Sequence, residues 1–552
     1  MRLLYFVLGV LLLVACQDSN YSEIKEPVAP GELTVEPESV TLAVGESCQL
    51  VAKLNGVLLE KGQVSWESNT DLVNVDDNGR ITAIYYSKFI SGLNVKAEMP
   101  NGQYAVCKIT LYPVYDYKLR LILKDKGNAD YSLNQPEMFL SSKAIERRRK
   151  RNIAIDDLDL PISKEYLKQI EELGGKIVCQ SKWLKTICVQ CEDESLVEEY
   201  IAKYKELPFV EEVVKVWKGE RNNKVKGSFS AKLPKSENSL GHSLEDYGDS
   251  WRNIALHNGQ VLHERGFEGS GIDIAVIDGG FNVLDNPTLN NIGIQGAKSF
   301  VYEDANPYNA DEHGVWVLSC MATNRPGYYV GTAPKANYWL LRSEDSSESG
   351  DYPVEEDYWV SAMEYADSAG VDIVNTSLYY IKNQEPFPSH KFEEMDGKTA
   401  LPTRAANIAA NKGIFVVCCA GNDGSWVGTP ADSPNVLTVG SVNATGGVGT
   451  YTAYGVTVDG RMKPDVMSLG QNACIIDIDG NVGYRSGTSY ASPILCGLAA
   501  CLWQAYPSLT NRELLDLFRK SANRYNAPEL PYGYGIVDIR KAIELIDAKL
   551  IN

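Results

Sequence analysis

Basic charge is scarce in this chain. Its 552 residues carry 53 Lys and Arg against 72 Asp and Glu, a net charge of −19. A nucleic-acid partner needs a basic face, so no nucleic-acid role is expected, and the acidic excess speaks mainly for a soluble surface. Past the first sixteen residues no run is long and apolar enough to span a bilayer. No paired cysteine spacing indicates zinc, and no EF-hand loop is present. Histidine numbers only 5. What remains is ordinary for globular domains, 44% hydrophobic and 23% charged, at a length that suggests three or four of them.

The first segment is read as targeting sequence. Arg2 precedes a short apolar run, residues 3–15, which ends in Leu13-Val14-Ala15-Cys16. The run fits a signal-peptide core, and its end resembles a bacterial lipobox. Residues 1–16 are then a lipoprotein signal peptide, with Cys16 as the lipidated N-terminus. Gln17, rather than Asp, follows that cysteine, so the expected location is the outer membrane or cell surface, reached by export. Residues 17–31 form a polar tether. The chain has 12 Cys; lipidation of one leaves an odd number, so several thiols are expected to stay free.

Three patterns follow in order. Residues 32–113 show short alternating strands between turn residues, with a hairpin turn at Asp77-Asn78-Gly79. The order Cys48, Trp66, Cys107 suggests an immunoglobulin-like sandwich, with either a disulfide or two buried thiols over the Trp. The stretch resembles the bacterial Ig-like group-2 domain. Residues 115–218 read as β-α-β-β-α-β, a ferredoxin-like α+β series. It is interrupted by an insertion carrying Arg147-Arg148-Arg149-Lys150-Arg151, expected to be a solvated helix face, with a processing site as the alternative. Residues 219–250 are polar and rich in Ser, Lys and Gly, a linker suited to a cut.

The last segment, 251–548, carries the chemistry. One buried strand ends on Asp278-Gly279-Gly280. Asp311-Glu312-His313-Gly314 opens an apolar run of helical length. Another buried strand ends on Ala420-Gly421-Asn422, and Ser486-Gly487-Thr488-Ser489 precedes a third apolar run. Polar groups at the ends of buried elements are where α/β sheets place their sites. A serine hydroxyl needs a base, a histidine can be that base, and a carboxylate can orient the histidine. An amide N–H and the free N–H groups of a helix start suit a developing oxyanion.

The order Asp278, His313, Ser489, at spacings of 35 and 176 positions, resembles that of the subtilisin-like serine proteases (peptidase S8). Gly487-Thr488-Ser489-Tyr490-Ala491-Ser492-Pro493, Ala420-Gly421-Asn422, Val330-Gly331-Thr332-Ala333-Pro334 and Asn375-Thr376-Ser377-Leu378 match further blocks of that family. The resemblance implies an α/β catalytic domain with a mostly parallel sheet. It also implies an Asp278-His313-Ser489 triad, Asn422 as oxyanion donor, and an inhibitory prodomain in 115–218. Substrate would lie along Ser377, Leu378, Tyr379, Ala420 and Gly421, with Gly428 leaving room for a large P1 side chain. The expected partner is a protein or peptide. No cofactor is expected, although the family often holds structural calcium through scattered oxygens, so the metal position stays unassigned. The departures are Val315-Trp316 after the His-Gly pair, where Trp316 is expected to narrow the site, and Tyr379-Tyr380 where small residues are usual.

Overall fold

The computed structural model describes residues 31–84, 86, 90–127, 130–220, 244–301, 306–308, 311–345 and 350–549. The signal, lipidation and tether expectations for 1–30, and most of the 219–250 linker, lie outside the described residues. The chain forms two units, residues 31–114 and the remainder from Tyr115 onward.

The first unit is all strand. Leu33–Glu36, Val51–Leu54 and Val57–Leu58 make one small sheet. Ser39–Ala43, Tyr104–Tyr112, Asn94–Glu98 and Ser65–Ser68 make a second in that spatial order, and Ser47–Gln49, Arg80–Ala83 and Val73–Val75 a third. Alternation in Tyr104–Tyr112 sends Cys107, Ile109 and Leu111 inward. The Asp77-Asn78-Gly79 turn forms, with Asp76 Oδ1 accepting from the N–H groups of Asn78 and Arg80 at 2.8 and 2.9 Å. Cys107 is a buried free thiol rather than half of a disulfide, and burial pushes it up to about 11. Trp66 is only partly buried against the core.

The second unit begins with Tyr115–Leu123 (β1), followed by helices Ser142–Arg151 (α1) and Lys164–Glu172 (α2). Strands Lys176–Ser181 (β2) and Thr186–Cys191 (β3), helix Val197–Glu206 (α3) and strand Val210–Glu220 (β4) complete this part. The four strands form an antiparallel sheet in the order β2-β3-β1-β4. Ser163 caps α2 by accepting from the Glu165 N–H at 3.2 Å. β4 pairs with β1 as far as Glu220 opposite Tyr115, so it runs past the expected boundary at 218. The basic run does not form a solvated face. Arg149 and Lys150 are exposed, but Arg147 and Arg148 are buried, because two buried aspartates receive them.

The rest is a seven-stranded sheet with helices on both faces. Its strands are Asp273–Asp278 (β5), Gly293–Ser299 (β6), Asn337–Arg342 (β7), Ile373–Thr376 (β8), Phe415–Cys419 (β9), Leu437–Val442 (β10) and Val466–Leu469 (β11). The spatial order is β6-β7-β5-β8-β9-β10-β11, and every neighbouring pair is parallel. Burial on both faces explains why β5, β8, β9 and β10 are buried at every position. His313–Ala322 (α4) and Thr488–Ala505 (α7) supply the core on one face. Pro353–Ala369 (α5) and Leu401–Asn411 (α6) supply it on the other. Asn511–Ser521 (α8) and Ile539–Asp547 (α9) close the chain.

Ten of the cysteines are buried: Cys107, Cys179, Cys188, Cys191, Cys320, Cys418, Cys419, Cys474, Cys496 and Cys501. None of these ten is in a disulfide. No helix among the described residues is long and apolar enough to cross a membrane.

Candidate active site

Parallel strands present their C-terminal ends on one edge, and the order reverses beside β5, whose neighbours β7 and β8 both follow it in the chain. Asp278 ends β5, Ser377 follows β8, and Ala420-Gly421-Asn422 follow β9. The starts of α4 and α7 bring His313 and Ser489 to the same edge. A cleft of about 470 Å³ is lined there by Asp278, His313, Ser377, Leu378, Asn422 and Ser489, among others.

Asp278 is fully buried. Its Oδ1 accepts from His313 Nδ1 at 2.7 Å and from the Gly279 N–H at 2.8 Å, while Oδ2 has no protein partner. His313 is the first residue of α4, and its own N–H donates to Asp311 Oδ1 at 3.0 Å. Gly314 next to it must be small, because a Cβ there would stand 2.2 Å from the Gly280 carbonyl. Burial alone would lower the imidazole pKa. The adjacent Asp278, through charge and hydrogen bond, and Asp311 beyond it outweigh burial and hold the imidazole up at about 9. With Nδ1 committed to Asp278, Nε2 is the ring nitrogen left to serve the cleft.

Ser489 lies in the first turn of α7 and is 5% exposed. Its hydroxyl is 3.4 Å from the Ser377 carbonyl. Pro493 sits four residues on and has no N–H, so the Ser489 carbonyl lacks its helical donor. Ser377 Oγ donates to that carbonyl instead, at 2.8 Å. A single side chain after β8 thus fixes the turn that carries the serine. Asn422 Oδ1 accepts from the Thr488 N–H and Thr488 Oγ1 at 2.9 and 3.0 Å. This caps α7, whose own N-cap Gly487 offers no side chain. It also leaves the Asn422 NH₂ as the end of the amide available to a ligand in the cleft. The arrangement offers a nucleophile, a base held by a carboxylate, and N–H donors at a helix start.

The expected substrate-side residues divide. Ser377, Leu378 and Tyr379 line the cleft. Ala420 and Gly421 are not among the residues lining it, and a Cβ at Gly421 would stand 3.2 Å from the Tyr379 ring. Gly428 packs closely on the segment after β8: a Cβ there would meet Ile381 Cγ1 and the Tyr380 carbonyl, both at 2.7 Å. Trp316 stands beside His313, ring centroids 6.4 Å apart, under the Arg485 guanidinium at 4.5 Å. It does not line the cleft.

Sequence reasoning missed the acidic wall of the cleft. Glu344, Asp351 and Glu355 line it, and their carboxylate oxygens lie within 4.8 Å of one another. Tyr380 donates to Glu344 at 2.6 Å. Burial, with Asp351 adding to it, pushes Glu344 up to about 8, and burial raises Asp351 to about 6 and Glu355 further upward. These three are the one group of described residues arranged as a cation could require. The acidic stretch from Glu344 to Glu355 was the only hint in the sequence.

Comparison with known proteins adds two matches along the chain. Residues 269–535 match the Subtilase family, and residues 118–231 match the Peptidase S8 propeptide domain of Bacteroidota. Subtilisin from Bacillus pumilus is 30% identical over 291 residues, which is 51% of this chain and 95% of that protein. Subtilisin NAT from Bacillus subtilis subsp. natto is 28% identical over 382 residues, 68% of this chain and 85% of that protein. Subtilisin Savinase from Lederbergia lenta is 28% identical over 284 residues, 51% and 94% respectively.

Proposed function

We propose, from the premise that this chain belongs to the subtilase family of serine endopeptidases, that it cuts peptide bonds through Asp278, His313 and Ser489. Ser489 Oγ attacks the scissile carbonyl while His313 Nε2 takes its proton. Asp278 holds the ring in the productive tautomer and stabilises the imidazolium. The Asn422 NH₂ and the Ser489 N–H receive the oxyanion. His313 then returns the proton to the leaving amine, and a water molecule, activated by the same base, releases the acyl group and restores Ser489. The observation that carries this reading is the 2.7 Å Asp278–His313 hydrogen bond in the wall of the cleft that Ser489 and Asn422 also line.

The same reading extends along the chain. Residues 115–218, most of which fall in the 118–231 match to a propeptide family, form a ferredoxin-like inhibitory domain, and its β2-β3-β1-β4 antiparallel order supports that. Maturation would cut within the 219–250 linker. The 32–113 segment is an Ig-like spacer, and Cys16 carries the lipid that anchors the exported chain. The test is a serine-directed phosphonate. It should label Ser489 in the mature chain and fail on Ser489→Ala. Labelling elsewhere, or none on a chain that still cleaves peptide, would overturn the assignment.

A further inference from the structure

Helix α1 interrupts the propeptide domain between β1 and α2. It sits against the C-terminal end of α5 and the N-terminal ends of β5 and β8, the edge of the sheet opposite to the cleft. Ser141 Oγ donates to the Ala369 carbonyl at 2.8 Å. Lys143 Nζ lies 2.8 Å from Asp372 and 3.0 Å from Asp273. Arg147 pairs with Asp367 and donates to the Lys412 carbonyl at 3.2 Å. Arg148 bridges Asp159 at 2.6 Å and Asp367 at 2.7 Å. Lys412 answers from the other side, 2.8 Å from Asp159 and 2.7 Å from Asp156. Arg151 donates to the Leu509 carbonyl, with its guanidinium 4.7 Å from the Trp503 ring.

Charge is exchanged both ways across this contact. The propeptide side gives Arg147, Arg148 and Asp159, and the peptidase side gives Asp367 and Lys412. All five are 6% exposed or less. Buried ion pairs are strongly disfavoured when one partner is taken away. Gly370 lets the two parts close up: a Cβ there would stand 2.7 Å from the Ala144 nitrogen. No part of this contact involves the cleft.

We propose that α1 is a retention clamp. After a cut within the 219–250 linker, it holds the propeptide domain on the peptidase domain as a separate chain, so the mature protease stays attached to everything N-terminal of the cut. This rests on the propeptide reading of 118–231. The contact is independent of cleft occupancy, so inhibition and retention are separate functions of one domain. A propeptide tail displaced from the cleft, or cleaved, would free the active site without freeing the enzyme.

The test uses the full chain carrying Ser489→Ala, with the recognition sequence of an unrelated site-specific protease placed within the 219–250 linker. Whether the natural chain cuts itself is then irrelevant to the outcome. After the engineered cut, the two pieces should co-elute in gel filtration at nanomolar concentration. Arg147→Ala with Arg148→Ala should weaken the pair by roughly 100-fold or more, from the cost of unpaired buried charge. Lys143→Ala with Arg151→Ala, at the less buried ends of the helix, covers the case in which the first pair fails to fold; release should be about 10-fold faster. The proposal is overturned if the cut parent falls apart at micromolar concentration. It is equally overturned if the folded clamp variants hold as tightly as the parent.

Discussion

Replacing Asn422 separates two jobs done by one amide. Its oxygen accepts from the Thr488 N–H and hydroxyl at 2.9 and 3.0 Å, and its NH₂ is the proposed oxyanion donor. Asn422→Ala removes both. Loss of one oxyanion donor costs about 10²–10³ in kcat, or about 2.7–4 kcal/mol in the transition state, a range established on a subtilisin rather than worked out on this chain. Loss of the acceptor leaves the start of α7 uncapped, which costs about 0.5–2 kcal/mol of stability. Asn422→Asp keeps the acceptor and discards the donor. It should melt close to the parent while losing at least as much kcat, because a carboxylate faces the developing negative charge. Steady-state kinetics on a peptide substrate, with active sites titrated, gives kcat and KM separately, and thermal melts give the other half. The reasoning fails if Asn422→Ala raises KM alone with kcat intact. It also fails if the Asp variant retains full activity.

Other outcomes follow from the same geometry. Ser489→Ala should accumulate as uncut precursor, seen by immunoblotting for the propeptide and peptidase domains; normal maturation of the purified variant would remove Ser489 from the nucleophile role. The His313 pair sets opposite pH trends. With the folded imidazole near 9 against an ordinary 6.5, the stability it contributes is complete below about pH 6.5 and is lost as pH rises through about 9. The neutral base grows over the same interval, so kcat/KM should climb on the alkaline side; a profile flat above pH 7 would contradict the raised pKa. Cys16 should carry lipid, read by globomycin sensitivity and detergent partitioning, and a soluble product starting beyond it would refute the anchor.

The strand and helix ends that carry the candidate site were legible, because buried strands announce themselves as unbroken apolar runs. The strand and helix order of 115–218 was legible as a β-α-β-β-α-β series. Long-range pairing was not. Nothing in Arg147-Arg148 says that Asp367, some 220 positions later, will be buried opposite them, so the run read as solvated. The neighbours of Gly428 were hidden for the same reason: Ile381 and Tyr380, which a Cβ there would meet, come from another segment. The acidic wall is assembled from a loop and the first turn of α5, where no periodicity marks a site.

The buried cysteines have a consequence for the order of events in the life of the chain. Burial drives Cys107 up to about 11 and Cys191 and Cys474 to about 12, and pushes Cys188, Cys320, Cys418, Cys496 and Cys501 upward as well. Thiolate is the reacting species in oxidation and disulfide exchange, so once folded these sulfurs are chemically silent at neutral pH. The vulnerable interval is the one before each domain closes over its own. For a protease proposed to work outside the cytoplasm, folding is then a race against oxidants. Whatever hastens closure of the catalytic domain also protects it from wrong disulfides.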